Sequence, residues 1–396
     1  MLQKATKSQS KDHNKGLVLR TIYQAGSISR ADVARATTLT RPTVSTAVSE
    51  LIQEGLVAET GIGQSLGGRP PILLRVEDNS RYIVGVDLAE SEFRGALVDL
   101  RGQIRHRVGL AIDEQDGEAA LGVVHRLIDE LRAAADRPIL GIGIGTPGLM
   151  DARRGVVRHA VNLNWRDLPL GDLLEARHGL PAYIANDSQV AALAEIAFGR
   201  GKDLNNLIVV KVGRGIGAGI VIDRRPFYGD DSGAGEIGHV VAQPGGLPCR
   251  CGNRGCLETI ASTRALVQRA QALWTEGGVS GLRHLASSPE EINTQRLVQA
   301  LQAGDPIVAA MVAEAGRALG RAVGHLVGGL NFRHVVIAGS MSRFGEAFLQ
   351  PIQEQVSSGV FPTLAKDIRV EASQLGQDIV ILGAAALLLS QELMLA

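Results

Sequence analysis

The sequence predicts an α/β protein with two similar lobes, preceded by an N-terminal winged helix-turn-helix. Two patterns support this prediction. A helix, a tight turn and a second helix can be read between residues 29 and 55. A buried strand followed by a glycine-rich segment then occurs three times, in Ile139–Gly148, Leu207–Gly219 and His334–Ser340. The length of 396 residues fits two or three domains at roughly 150 residues each.

Composition indicates a globular protein. Hydrophobic residues make up 45% of the chain, and no run approaches the ~18 apolar residues that a membrane span requires. Residues 1–15 are polar and basic and lack the apolar centre of a signal peptide. The three cysteines are clustered and provide no disulfide framework. We therefore expect a cytoplasmic protein without membrane insertion.

Charge is distributed unevenly along the chain. The 41 basic and 41 acidic residues cancel overall, yet residues 1–41 carry eight lysines and arginines against two aspartates, a surplus of six. A basic end on an acidic body is typical of a nucleic-acid-binding arm, although a solvated basic tail would give the same count. We expect a flexible basic N-terminus over residues 1–14 and a DNA-binding domain with its linker over residues 15–78.

Capping residues and apolar spacing define the two helices of this domain. Ser29 and Asp32 form a capping box that opens a short helix, and Thr40 caps the next helix. One face of the second helix is apolar, at Val44, Val48, Leu51 and Ile52. Such a helix enters the DNA major groove by its N-terminal end. The candidate DNA contacts at that end are Arg41, Thr43, Ser45 and Thr46.

Two short strands are predicted after these helices, at Leu56–Glu59 and Ile72–Val76. The glycine-rich segment 61–71 joins them and carries Arg69 near its end. This arrangement predicts a wing that lies along the DNA, with Arg69 as a further contact. A small helical module for protein contacts is the alternative.

Residues 79–396 are predicted to form the two-lobed body. Buried strands are expected at Ile83–Leu88 and Gly95–Asp99, followed by a helix around Glu118–Ala135. The apolar run Ala384–Leu389 predicts a buried closing helix, with an exposed docking segment as the alternative.

The cysteines carry the most specific chemistry in the chain. Cys249, Cys251 and Cys256 lie within eight positions, and His239 precedes them by ten residues. Thiolates and imidazole are the preferred ligands of tetrahedral Zn²⁺, and four protein ligands make a closed, structural site. The cluster therefore predicts a structural zinc ion, against the alternative of three inert buried thiols.

These residues resemble the ROK family, whose name covers repressors, open reading frames and sugar kinases. The resemblance spans nearly the whole chain and is most specific at Asn186-Asp187, at Gly235-Glu-Ile-Gly-His239 and at the cysteine loop ending in Glu258. It implies an actin-like body with two lobes. The N-terminal module and the segment Gly67-Gly-Arg-Pro-Pro71 resemble the repressor branch, xylose repressors in particular.

The resemblance also implies a sugar site between the lobes. Its candidate residues are Gly148, Asn186, Asp187, Glu236, His239 and Glu258. Carboxylates, an amide and an imidazole can pair with every hydroxyl of a monosaccharide, and such a site rejects analogues that lack a hydroxyl. His239 would bind zinc with one ring nitrogen and the sugar with the other. Asn162 is a further candidate, with a plain loop residue as the alternative.

The nucleotide side departs from the family pattern. Family kinases have Asp-x-Gly-Gly-Thr after the first strand, whereas this chain has Asp87-Leu-Ala-Glu-Ser91. Ala89 and Glu90 add side chains, and Glu90 adds a negative charge, where phosphates would lie. Arg214 stands in the second glycine loop where kinases usually have Thr. We therefore expect no kinase activity; in a kinase, Asp187 would be the catalytic base.

The favoured hypothesis is a sugar-responsive repressor of carbohydrate genes that binds operator DNA as a homodimer or homotetramer. A monosaccharide effector, with xylose and glucose as first candidates, would change the affinity for the operator. The rival hypothesis is an ATP-dependent sugar kinase carrying a DNA-binding domain. A third is a body that docks a regulatory protein instead of a sugar.

Overall fold

The computed structural model describes residues 7–63, 70–89, 91–113, 115–276 and 281–395. Its N-terminal unit is a winged helix-turn-helix with a small sheet in the order β1-β3-β2. The elements are α1 (Lys7–Ala25), β1 (Ile28–Ser29), α2 (Arg30–Thr37), α3 (Arg41–Gln53), β2 (Val57–Ile62) and β3 (Ile72–Val76). The two predicted wing strands are present and pair antiparallel, and β2 extends to Ile62, into the segment predicted as a loop. The wing tip, including Arg69, lies outside the described residues.

The predicted caps of α2 and α3 are confirmed. The hydroxyl of Ser29 accepts a hydrogen bond from the backbone N–H of Asp32 at 3.2 Å and donates to its carboxylate at 2.6 Å. Thr40 accepts from the backbone N–H of Thr43 at 3.4 Å. Both helices therefore begin where local hydrogen bonding alone places them.

The first helix corrects the prediction for the N-terminus. Residues 1–14 were expected to be flexible, but α1 begins at Lys7. Three of its side chains are buried in the core of the unit: Val18, Leu19 and Ile22. Packing against α2 and α3 stabilises this helix, and short-range sequence patterns do not reveal such packing.

The first lobe contains a five-stranded sheet in the order β11-β7-β4-β5-β6 and a small sheet in the order β10-β9-β8. Its elements are β4 (Tyr82–Leu88), β5 (Glu92–Asp99), β6 (Ile104–Ala111), α4 (Gly117–Ala133), β7 (Ile139–Thr146), β8 (Leu149–Asp151), β9 (Val156–Ala160), β10 (Trp165–Leu168), α5 (Leu170–His178), β11 (Ala182–Asn186) and α6 (Asp187–Phe198). The strands β4, β7 and β11 run parallel.

The second lobe repeats this plan with the strand order β14-β13-β12-β15-β16. Its elements are β12 (Leu207–Val212), β13 (Ile216–Ile222), β14 (Arg225–Phe227), α7 (Glu258–Ala261), α8 (Thr263–Thr275), α9 (Thr294–Gln302), α10 (Pro306–Leu330), β15 (His334–Ala338), α11 (Glu346–Ser358), α12 (Pro362–Ala365), β16 (Arg369–Ala372) and α13 (Ile379–Glu392). No helix in the described part of the chain is long and apolar enough to cross a membrane.

Two helices, α6 and α13, join the lobes. The helix α13 packs on β4 and β7 of the first lobe, while α6 packs on α13 and on β12 and β13 of the second. They approach closely at Gly383, where a Cβ atom would lie 1.8 Å from the carbonyl oxygen of Val190. The run Ala384–Leu389 is buried, which confirms the closing helix and excludes an exposed docking segment.

The winged helix-turn-helix unit contacts the first lobe through the turn between β5 and β6. The guanidinium of Arg101 lies over the ring of Tyr23, 3.8 Å from its centroid, and donates to the Tyr23 carbonyl at 2.9 Å. Arg101 also donates to Asp78 at 2.9 Å. In return, the Tyr23 hydroxyl donates to the carbonyl of Leu100 at 2.9 Å. The unit is thus attached to the body by directional contacts as well as by the linker.

Candidate functional site

The start of α6 lies at the predicted sugar site, which the sequence places in a cleft between the lobes. Asn186 ends β11 and caps α6, because its Oδ1 accepts from the backbone N–H of Ser188 at 2.8 Å. Its Nδ2 donates to the carbonyl of Gly148 at 3.0 Å. Gly148 has φ +95°, and a Cβ atom there would lie 2.3 Å from the carbonyl oxygen of His159. These two candidates therefore hold each other and orient the residue that follows, Asp187.

Asp187 is paired with a lysine from the opposite lobe. The Oδ2 atom of Asp187 lies 2.7 Å from Nζ of Lys211, which belongs to β12. Their side chains are 15% and 23% exposed, respectively, so both remain partly accessible. Sequence reasoning missed Lys211, although a single lysine within the apolar strand Leu207–Val212 was a usable signal.

A second carboxylate lies close to this pair. Asp87, at the end of β4, forms a salt bridge with Arg94 on the neighbouring strand β5. Burial raises the pKa of Asp87, and the charges of Lys211 and Arg94 act against that rise. Burial lowers the pKa of Lys211, but Asp187 and Asp87 outweigh this effect and raise the pKa overall. The cleft floor thus contains two carboxylates balanced by two protein cations.

Two glutamates from the second lobe complete the acidic part of the cleft. Burial raises the pKa of Glu236 to about 7, with further contributions from the negative charges of Asp187 and Glu258. Glu258, at the start of α7, accepts from the backbone N–H of Ile216 at 3.1 Å. The structure therefore brings Asp187, Glu236 and Glu258 close enough to influence one another electrostatically. A neutral Glu236 can donate a hydrogen bond that an ionised carboxylate cannot.

The loop that follows Glu236 contains the cysteine cluster. The ligand atoms of His239, Cys249, Cys251 and Cys256 all lie within 4.8 Å of one another. The sulfurs of Cys251 and Cys256 are 3.6 Å apart, and Nδ1 of His239 lies 3.6 Å from the sulfur of Cys249. Zn–S bonds of about 2.3 Å in a tetrahedron place sulfurs about 3.8 Å apart. The spacing of these donors fits a tetrahedral ion.

The imidazole of His239 faces the cysteine loop, whereas its contact with a sugar stays a prediction. Its Nδ1 faces the sulfur of Cys249, so Nε2 lies on the other side of the ring.

The candidate Asn162 contacts the cysteine loop, because its Oδ1 accepts a hydrogen bond from the guanidinium of Arg250 at 2.6 Å. Arg250 belongs to the cysteine loop, whereas Asn162 lies between β9 and β10. Asn162 therefore joins this loop to the first lobe.

The residues expected to disfavour nucleotide binding are only partly described. Ala89 follows β4, and Glu90 lies outside the described residues. The neighbouring Asp87 already has Arg94 as a partner.

The candidate DNA contacts share one exposed end of α3. Arg41, Ser45 and Thr46 are exposed, and Thr43 is half-buried with its hydroxyl 2.8 Å from that of Thr40. A groove of about 510 Å³ runs beside them between α1 and α3. Its lining includes Ser10, Lys11, Asn14, Lys15, Thr43 and Thr46. Lys11 and Lys15 of α1 thus lie next to the helix predicted to read DNA, where they form salt bridges with Glu50 at 2.7 Å and Glu54 at 2.8 Å, respectively.

Comparison with known proteins identifies the class. A winged helix-turn-helix DNA-binding model matches residues 11–58, and the ROK family model matches residues 83–391. The chain belongs to the ROK family. The predicted ROK fold and N-terminal winged helix-turn-helix are both confirmed.

Individual relatives include regulators and kinases. The chain is 36% identical to a xylose repressor of Caldicellulosiruptor bescii, over 97% of each chain. It is 32% identical to a glucokinase of Halalkalibacterium halodurans, over 79% of this chain and 97% of that enzyme. A solved ROK family transcriptional regulator, a homologue of the Escherichia coli MLC protein, superposes with a TM-score of 0.85 at 29% identity, covering 97% of this chain and 96% of that one.

Proposed function

We propose that this protein is a sugar-responsive transcriptional repressor in which a monosaccharide in the cleft changes the affinity for operator DNA. The observation that supports the proposal is the presence, in one chain, of a winged helix-turn-helix with an exposed N-terminal end of α3 and a group of carboxylates, Asp187, Glu236 and Glu258, that lie close enough to interact. The match to the xylose repressor extends over both parts, whereas the glucokinase matches 79% of this chain. Residues 15–78 would bind the operator and residues 79–396 the sugar.

The sugar would lie between the lobes, against Asp187, Glu236 and Glu258, with Nε2 of His239 as a further partner. Asn186 and Gly148 would act mainly by orienting Asp187, since their amide and carbonyl bond to each other. D-Xylose is the first candidate ligand because the relatives include xylose repressors, and D-glucose is the second because they include a glucokinase.

A continuous set of contacts would transmit sugar binding to the DNA-binding unit. The helix α6 begins at Asp187 and ends at Phe198, whose ring packs against Gly102. Gly102 follows Arg101, which lies over Tyr23 in α1. A shift of α6 would therefore move the surface on which α1 rests. Couplings of this kind are typically worth ~1–3 kcal/mol, a 5- to 150-fold change in affinity.

We propose that the protein is not a kinase. Ala89 stands where family kinases have a glycine of the first phosphate loop, and Asp187, the residue that would be the catalytic base, is hydrogen-bonded to Lys211. A coupled assay for ADP release with D-xylose, D-glucose and N-acetylglucosamine tests this point. Sugar-dependent turnover that is abolished in Asp187→Asn would establish the rival function.

The metal and the assembly belong to the same proposal. A Zn²⁺ ion held by His239, Cys249, Cys251 and Cys256 would stiffen the loop that leads to Glu258. A homodimer or homotetramer would place paired α3 helices on half-sites about one DNA turn apart. Elemental analysis and light scattering measure the metal content and the subunit number, respectively.

The central test measures operator affinity with and without sugar. An operator is first selected from a random DNA library with the purified protein, and its affinity is then measured by fluorescence anisotropy. D-Xylose or D-glucose should change the operator affinity of the wild type by at least about fivefold. Asp187→Asn should abolish the response, whereas Asp231→Asn, at an exposed position, should retain it. An operator affinity that no monosaccharide changes would refute the proposal.

A further inference from the structure

Lys211 is a charged residue in an otherwise apolar strand. The other five residues of β12, Leu207–Val212, are apolar and buried. Burying a lysine in such a strand costs free energy unless its ammonium is paired. Here Nζ lies 2.7 Å from Oδ2 of Asp187, and the Lys211 side chain remains 23% exposed. The lysine is therefore bonded on one side and accessible on another.

The pair presents complementary hydrogen-bonding groups next to each other. An ammonium has three N–H donors and no acceptor, and an ionised carboxylate is an acceptor only. Hydrogen bonding to Asp187 uses one donor of Lys211. Because both side chains are partly exposed, a ligand bound beside them meets an acceptor and a donor about one hydrogen-bond length apart. Two adjacent hydroxyls of a sugar match this arrangement, one donating and the other accepting.

We propose that Lys211 is a specificity-determining residue that selects sugars with a vicinal diol, donating to one hydroxyl while Asp187 accepts from its neighbour. This inference rests on the proposed sugar-binding function. The alternative is a purely structural tie between the lobes, since Lys211 belongs to the second lobe and Asp187 to the first. The two roles differ in what they predict for sugars that lack a single hydroxyl.

The test combines substitution of the lysine with deletion of single hydroxyls. Isothermal titration calorimetry measures the binding of D-xylose, D-glucose and the monodeoxy forms of each to the wild type, Lys211→Met and Lys211→Arg. Lys366→Met, at an exposed position after α12, is the matched control. Thermal unfolding of each variant checks that the fold is retained.

In the wild type, removing the hydroxyl that Lys211 contacts should weaken binding by about ten- to a hundredfold, because one N–H of its charged ammonium loses its hydrogen-bond partner. In Lys211→Met, removing that same hydroxyl should weaken binding by about twofold or less, whereas removing any other hydroxyl should weaken binding as much as it does in the wild type. Lys211→Arg should restore part of the penalty, and the control should match the wild type.

The outcomes separate this inference from the function on which it rests. If Lys211→Met weakens binding of all these sugars by the same factor, or leaves every deoxy penalty unchanged, the specificity role is wrong and sugar sensing stands. If the wild type binds neither D-xylose nor D-glucose nor any of their deoxy forms, the choice of ligand behind the proposed function fails, and the role of Lys211 fails with it.

Discussion

The raised pKa of Glu236 predicts a specific dependence of stability on pH. Burial, with smaller contributions from Asp187 and Glu258, raises this pKa from 4.5 to about 7. The folded protein therefore binds this proton more tightly than the unfolded chain does. The resulting stabilisation is complete below about pH 4.5 and is lost as the pH rises through about 7. Replacing Glu236 by glutamine removes the titration and retains the shape of the side chain.

The magnitude follows from the two pKa values. At about 1.4 kcal/mol for each tenfold change in proton affinity, ionising Glu236 in the folded state costs about 3 kcal/mol above pH 7. Between pH 5.5 and pH 8, this cost grows by about 2 kcal/mol. Glu236→Gln should therefore become more stable relative to the wild type as the pH rises.

Differential scanning calorimetry of both proteins across this pH range measures the effect. The difference in melting temperature should widen by several degrees from pH 5.5 to pH 8, because 1 kcal/mol corresponds to about 2–4 °C at this domain size. The other titrating groups are shared by both proteins and cancel in the difference. Glu130→Gln, at an exposed position in α4, should show no such widening. A difference independent of pH would refute the assignment of a neutral, buried carboxyl at Glu236.

Three further predictions concern other parts of the molecule. Chelation of the metal, or Cys256→Ser, should lower the melting temperature and release about one Zn²⁺ per chain in elemental analysis; full stability in metal-free protein would contradict a structural zinc. Gly383→Ala should destabilise the protein by about 3 kcal/mol or more in denaturant titration, because its Cβ would overlap the Val190 carbonyl; an unchanged midpoint would contradict the close helix crossing. Arg101→Ala removes the contacts with Tyr23, so it should bind sugar with the wild-type affinity in calorimetry but show a several-fold smaller sugar-dependent change in operator affinity. An unaltered change in operator affinity would exclude transmission through Arg101.

Much of the DNA-binding unit could be predicted from the sequence because the helices α2 and α3 begin where residues close to each other in the chain form capping hydrogen bonds. Ser29 and Thr40 cap their helices through atoms three residues away. The cysteine cluster could be recognised for the same reason, because three of its four ligands lie on one short loop. By contrast, the sequence patterns did not predict the part of α1 before residue 15. This helix is stabilised by Val18, Leu19 and Ile22, which pack against α2 and α3, and such contacts join residues that are distant in the chain.

The candidate functional site shows the same difference between features that nearby residues determine and features that depend on distant contacts. The amino-acid sequence was enough to name the residues of the cysteine cluster and the carboxylates that the structure brings close together. Three contacts could be seen only in the folded chain: Lys211 pairs with Asp187 across the two lobes, Arg250 binds Asn162, and Arg101 lies over Tyr23. Each of these pairs is separated by at least 24 residues. Their formation depends on how two sheets and two central helices pack, and no local pattern in the chain encodes that packing.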